Sequence, residues 1–133
     1  MDRTKIVIID DNEKFRIVLD HSFAIKKTCE VIALLTHDDA TKNKILQKAN
    51  IAIVAVKSTE EKTLETVRFI KEKYSLKILA LPLYLKDPLI NELKKLKVEG
   101  ILSKNSIDQD SIHEALKRLV KGERYYNLID KIA

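Results

Sequence analysis

The chain has 133 residues, of which 45% are hydrophobic and 34% charged, with two glycines, two prolines and a single cysteine. That length holds one domain with an apolar core, which excludes a disordered chain and a disulfide-stapled scaffold. Its 25 Lys and Arg against 20 Asp and Glu leave a net charge of +5. The lysines are spread over every predicted helix, which reads as solvated helix faces; a nucleic-acid groove would need clustering, so no direct nucleic-acid binding is expected. The longest apolar run, Ile78 to Leu85, is far short of the roughly 20 residues of a membrane span. With no signal peptide to read, a cytoplasmic protein without membrane association is expected. Cys29 lies in an apolar run and is expected as a buried thiol.

In chain order, Lys5-Ile6-Val7-Ile8-Ile9 is a strand too apolar to show a face to water, so it belongs in the middle of a parallel sheet. Asp10 and Asp11 follow at its C-terminal end. Residues 12–24 carry Phe15, Val18, Leu19 and Phe23 on one helical stripe. A second strand lies within 30–35, and Asp38 or Asp39 is placed to cap a helix reaching about Lys48. Residues 51–56 form a third strand buried on both faces, after which Ser58 and Glu61 have capping-box spacing before a helix striped by Leu64, Val67, Ile70 and Tyr74. Lys77 to Leu81 is a fourth strand ended by Pro82, and Asp87-Pro88 opens a short helix through Leu96. Gly100 to Ser103 is a short fifth strand with Lys104 just beyond it. The last long helix runs from about Asp108 to Lys121, where Gly122 stops it. Alternating strands and helices with short connections predict a doubly wound α/β domain with helices on both faces of a parallel sheet.

Sites in such sheets form at the C-terminal ends of the strands. Asp10 and Asp11 stand there and repel one another, so they need a cation, a metal or water; the alternative is that they only start a turn and cap a helix. A chain with two glycines has no Gly-rich phosphate loop, which argues against a dinucleotide or flavin site. His21, His37 and His113 fall in three different elements without ligand spacing and read as surface or helix residues.

Asp10-Asp11, the apolar third strand and Gly100-Ile101-Leu102-Ser103-Lys104 fall at spacings that resemble the receiver domain of bacterial response regulators. The resemblance runs along essentially the whole chain. The segment Gly122-Glu123-Arg124-Tyr125 is similar to the subclass that carries a LuxR-like DNA-binding domain downstream. The resemblance implies a flavodoxin-like sheet of five strands in the order 2-1-3-4-5. It implies that Asp10 and Asp11 stand where the family binds a divalent metal, and Lys104 where a lysine contacts the phosphoryl group. Three positions depart: Ala55 stands at the phosphoacceptor position, Pro82 at the hydroxyl position and Ile101 at the switch aromatic. Alanine has no nucleophile for phosphoryl transfer, and proline has neither hydroxyl nor N–H to hold a phosphoryl oxygen.

The expectation is therefore a pseudo-receiver. Asp10 and Asp11 form an acidic pocket neutralised by Lys104 and Lys57, with the ammonium paired to Asp11. Opposite charges in contact at a partly exposed site attract by about 4 kcal/mol at an effective dielectric of 20, before desolvation. No cofactor is required, and Asp10 with Asp11 takes Mg²⁺ weakly at most. Residues 1–122 are read as the domain. Residues 123–133 are read as a C-terminal tail or the start of a linker to an effector domain, and Asn127 as a cap for a final helical turn. Tyr125, Leu128, Ile129 and Ile132 then recur at helical spacing as an interface stripe for a homodimer or a C-terminal DNA-binding domain. The functional expectation is a phosphorylation-independent regulatory module, the N-terminal domain of an atypical regulator of transcription that works through a protein partner, and not an enzyme. The alternative is a Mg²⁺-dependent phosphotransfer enzyme or hydrolase using Asp10 or Asp11.

Overall fold

The computed structural model describes residues 3–57 and 61–129. Its centre is a parallel sheet of six strands: β1 (Thr4–Ile9), β2 (Cys29–Leu35), β3 (Ile51–Val56), β4 (Lys77–Pro82), β5 (Gly100–Leu102) and β6 (Tyr125–Asn127), in the order β2-β1-β3-β4-β5-β6. The order switches direction at β1, which sits between β2 and β3. That switch explains why Ile6 to Ile9 are β-branched throughout: every one of them is buried, as are all six residues of β3. Helices close both faces. α2 (His37–Lys42), α3 (Glu61–Lys73) and α4 (Asp87–Lys95) lie on one side over Val7, Ile9, Val54 and Ala80. α1 (Glu13–Ala24) and α5 (Gln109–Val120) lie on the other over Ile6, Ile8, Ile53 and Leu79. No helix among the described residues is long and apolar enough to cross a membrane.

The caps are local chemistry. The Asn12 side chain accepts the Phe15 N–H and starts α1, and Asp108 with Ser111 forms a reciprocal capping box for α5. The Thr36 hydroxyl, rather than Asp38 or Asp39, caps α2, because it accepts the Asp39 N–H. Helix α2 then stops at Lys42, and Asn43 caps a separate 3-10 turn, Lys44–Lys48. Asp87 and Pro88 occupy the first two positions of α4, one residue inside the cap. The expected capping box at Ser58 and Glu61 lies outside the described residues.

The sixth strand corrects the expectation of a helical tail. Gly122 adopts φ +84° and its N–H bonds to Leu119 O, so the chain reverses and the Tyr125 N–H reaches Glu99 O. Tyr125 and Tyr126 then alternate across the sheet, one against each layer of the core. Asn127 lies in the strand and holds the Ile129 N–H, instead of capping a helix. A Cβ on Gly100 would come within 2.7 Å of the buried Leu79 side chain on β4, which would have to shift, whereas Tyr125 O of β6 would stay at 3.4 Å. The sheet thus extends past residue 122, to Asn127. Leu128 and Ile129 are exposed beyond it, and Ile132 lies outside the described residues.

The scattered charge of the sequence is ordered in space. Each helix returns against the strands, so helix C-termini gather at the end where strands begin. The segments approaching strand starts (3–5, 26–28, 48–50, 71–77, 94–99 and 117–124) hold 15 Lys and Arg against three Glu. The described segments leaving strand ends (10–13, 36–39, 57, 83–87 and 103–110) hold eight Asp and Glu against three Lys. The domain is basic at one end and acidic at the other, the arrangement that helix macrodipoles favour.

Candidate functional site

Asp10 ends β1 at the acidic end of the sheet and is 4% exposed. A buried carboxylate must find donors, and this one has them on both oxygens. Oδ1 accepts the Asn12 N–H at 2.9 Å, and Oδ2 accepts from the Lys104 ammonium at 2.6 Å. The Arg16 guanidinium on α1 donates to the Asp10 carbonyl. Lys104 reaches across from the turn after β5, and its ammonium also stands 4.3 Å from the centre of the Phe15 ring. The Lys104 ammonium meets one of the two acids, and that acid is Asp10 rather than the expected Asp11. The reason is depth: Asp10 is inside, beside Lys104, whereas Asp11 is exposed and turned toward the start of α2. There its Oδ1 accepts the His37 N–H at 2.9 Å.

His37 is the residue that sequence reasoning missed. Read as a surface histidine, it is 2% exposed. A carbonyl can only accept, so Nε2 carries the proton and donates to Ala55 O at 2.9 Å, while Nδ1 faces the Thr66 hydroxyl at 2.8 Å. Burial lowers the His37 pKa below the ordinary histidine value, with Asp11 as the main opposing influence. The neutral ring therefore pins the carbonyl of the one residue, Ala55, where the resemblance places an acceptor carboxylate. The only sequence signal was its position, two residues after an apolar strand.

Asp10, Asp11, His37, Ala55, Lys57 and Lys104 line one cavity of about 30 Å³. Such a volume holds about one water. Leu81 and Leu83 form part of its wall, and the Thr63 hydroxyl beside it is engaged with the Lys57 backbone. Pro82 and Ile101 are not part of this wall. Pro82 is buried at the end of β4 opposite Val56, and Ile101 is packed in the α2–α4 layer.

A divalent ion would have to compete for this donor set. Such an ion needs several free oxygens, but both Asp10 oxygens and the Ala55 carbonyl already accept hydrogen bonds from the protein. Among the described residues no three His, Cys, Asp or Glu side chains are grouped to hold a metal, and no buried side-chain polar atom lacks a partner. The buried part of the arrangement, Asp10 with Lys104 and His37 with Ala55, is hydrogen-bonded within the protein.

No protein-family model matches the sequence, and no curated protein matches it. Solved structures do match in fold. The RcsB response regulator of Salmonella typhimurium, described for conformational dynamism in DNA interaction, superposes with a TM-score of 0.85 at 19% identity; the match covers 96% of this chain and 63% of that one. The isolated receiver domain of RcsB from Salmonella enterica serovar Typhimurium, with phosphomimetic BeF3-, gives a TM-score of 0.81 at 20% identity over 95% and 94% of the two chains. A LuxR-family two-component response regulator from an Aurantimonas species gives 0.80 at 15% identity over 93% and 89%. The chain has the fold of response-regulator receiver domains and spans 63% of the length of the RcsB chain that it matches.

Proposed function

We propose that this receiver-fold domain is a phosphorylation-independent signalling module, the N-terminal part of an atypical response regulator that controls transcription through a DNA-binding domain or another protein partner. The observation that carries the reading is the saturation of Asp10. One oxygen holds a backbone N–H and the other an ammonium at 2.6 Å. Receiver chemistry needs that carboxylate for a metal and needs a second carboxylate as nucleophile. Here the nucleophile position is Ala55, and its carbonyl is occupied by His37. The cavity above it is small, about 30 Å³. The likeness to RcsB, of which this domain spans 63%, supports a partner domain on the same chain. The same saturation counts against Asp10 as the nucleophile of a Mg²⁺-dependent phosphotransfer enzyme or hydrolase, and Asp11, the other acid of that reading, is tied at Oδ1 to the His37 N–H.

Acetyl phosphate with Mg²⁺, followed by intact mass, is the test. The expected result is an unchanged mass; a stoichiometric gain of one phosphate, mapped to any Asp, overturns the proposal.

A further inference from the structure

The end of the sheet where the strands begin has no part in the Asp10 cluster, which lies at the opposite end. Of the fifteen Lys and Arg gathered there, only Lys71, Lys95 and Arg118 form an ion pair among the described residues. Two of its three acids are already taken, Glu99 by Lys71 at 2.8 Å and Glu123 by Arg118 at 3.9 Å. Helix macrodipoles favour lysine in a last turn, but they do not account for Arg3, Lys5 and Arg124, which stand where β1 and β6 begin. Lys97 follows α4 at φ +60°, a left-handed conformation that ordinarily falls to glycine or asparagine. On the β6 side the cations are held against rings. Tyr126 lies 6.0 Å from the Lys94 ammonium and 5.5 Å from the Arg124 guanidinium, and Tyr125 lies 5.7 Å from that of Arg118. Between the cations the strand entries present Thr28, Asn50 and Ser75, all exposed and all polar.

We infer that this end of the domain is a sequence-independent contact surface for the phosphate backbone of duplex DNA. Along the chain the lysines look dispersed, which is why the sequence argues against nucleic acid; the fold supplies the clustering that such binding needs. Six strands set about 4.8 Å apart make this edge about 24 Å wide. Duplex DNA carries one negative charge per about 1.7 Å of axis, so that width faces about seven base pairs and their phosphates. A membrane surface would want apolar groups to insert among the cations, and the strand entries offer hydroxyls and an amide instead. A protein partner would want an apolar centre with a polar rim. The exposed apolar residues nearest to this surface, Ile25 and Val120, stand at its margin, at the ends of α1 and α5. The contact goes beyond the regulatory reading and needs none of its chemistry, neither Asp10 nor Ala55 nor a phosphoryl group. In a regulator of transcription it gives the receiver-fold domain itself a salt-sensitive hold on DNA.

Fluorescence anisotropy of the full chain with labelled duplexes of about 20 base pairs, in two unrelated sequences, tests the inference. Dissociation constants in the tens of micromolar are expected at about 50 mM KCl, alike for both sequences. Log Kd should rise with log salt at a slope of about 4, as four or five displaced counterions require. The double variants Lys26→Glu/Lys27→Glu and Lys94→Glu/Lys97→Glu should each weaken binding about tenfold or more and flatten that slope. Lys14→Glu/Lys86→Glu lowers the net charge equally but at exposed positions of the acidic end, and should change affinity by less than about twofold. Circular dichroism checks each variant for an intact fold. A parent that leaves the duplex unbound at several hundred micromolar overturns the inference. So does a Lys14→Glu/Lys86→Glu chain that loses as much as the other two, since net charge alone then accounts for binding. A parent that binds poly-glutamate or phosphatidylserine vesicles more tightly than the duplex also overturns it, and gives the surface to an acidic protein or to a membrane. Acetyl phosphate has no place in these titrations, so this inference and the phosphorylation-independent reading fail separately.

Discussion

The imidazole of His37 donates from Nε2 to the carbonyl of Ala55 at 2.9 Å, tying the start of α2 to the end of the central strand β3. The ring is buried, and its pKa is pushed down by that burial. A histidine that is neutral when folded, and titrates near 6.5 when unfolded, contributes stability that is fully present above that value. As pH falls below about 6.5 the unfolded chain takes up a proton that the folded chain refuses, so stability declines by up to about 1.4 kcal/mol per pH unit until the lowered folded pKa is reached. The melting temperature should therefore drop between pH 7 and pH 5, and His37→Gln should flatten that slope. His113, also lowered chiefly by burial, acts in the same direction, so His113→Gln is the matched comparison. An unchanged slope in His37→Gln would show that the ring is already protonated in the fold.

The Lys104–Asp10 pair makes an asymmetric prediction. Both side chains are largely buried, so removing one partner strands the other charge, at a cost of about 3 kcal/mol. Lys104→Met should approach that figure, because Asp10 then has only the Asn12 N–H and the exposed Asp11 for a neighbour. Asp10→Asn should cost less, since asparagine still accepts the Asn12 N–H and the Lys104 ammonium keeps the face of Phe15. Urea melts in metal-free buffer give the ordering, and a Lys104→Met chain as stable as the parent removes the ion pair from the account.

Mg²⁺ should bind only in the millimolar range, since it must displace an ammonium already 2.6 Å from its ligand. Calorimetry reporting micromolar affinity contradicts that competition. In Lys104→Met the same titration should tighten, because the competing ammonium is gone.

Ala55→Asp should not create an efficient phosphoacceptor. A carboxylate built there enters a cavity of about 30 Å³ beside a saturated Asp10, with leucines rather than hydroxyls on the β4 wall. Intact mass after acetyl phosphate and Mg²⁺ should show a few per cent conversion at most. Rapid stoichiometric uptake by this single variant would mean that the cavity and the ion pair rearrange freely.

Truncation after Glu123 should lower stability by about 2–4 kcal/mol, because it removes two half-buried tyrosines that close the last edge of the sheet. Tyr126→Phe isolates one contribution, the hydroxyl donated to Val98 O at 2.7 Å, worth about 1 kcal/mol. If truncated and full chains melt alike, β6 lies outside the cooperative unit.

The sequence alone determined the layered fold, because the elements that specify it are locally encoded. Two-sided apolar strands at 5–9 and 51–56 can only be central, and stripes of period 3.6 between them can only cover a parallel sheet. It also grouped Asp10, Asp11, Ala55, Lys57 and Lys104, which line one cavity because each lies at or just after the C-terminal end of a strand, whereas Pro82, grouped with them, is not in its wall. Tertiary structure decided the rest. Tyr125 to Ile129 fit a helical period as well as a strand, and only the turn at Gly122 together with a free edge at β5 selected the strand. Which acid receives Lys104 depended on depth, a property of packing that two adjacent aspartates do not carry in their names. His37 looked like any helix-start histidine until β3 supplied a carbonyl and α3 a hydroxyl on either side of its ring. The lysines that seemed evenly spread along the chain became one basic end, because every helix in this topology returns its C-terminus to the side where the strands begin.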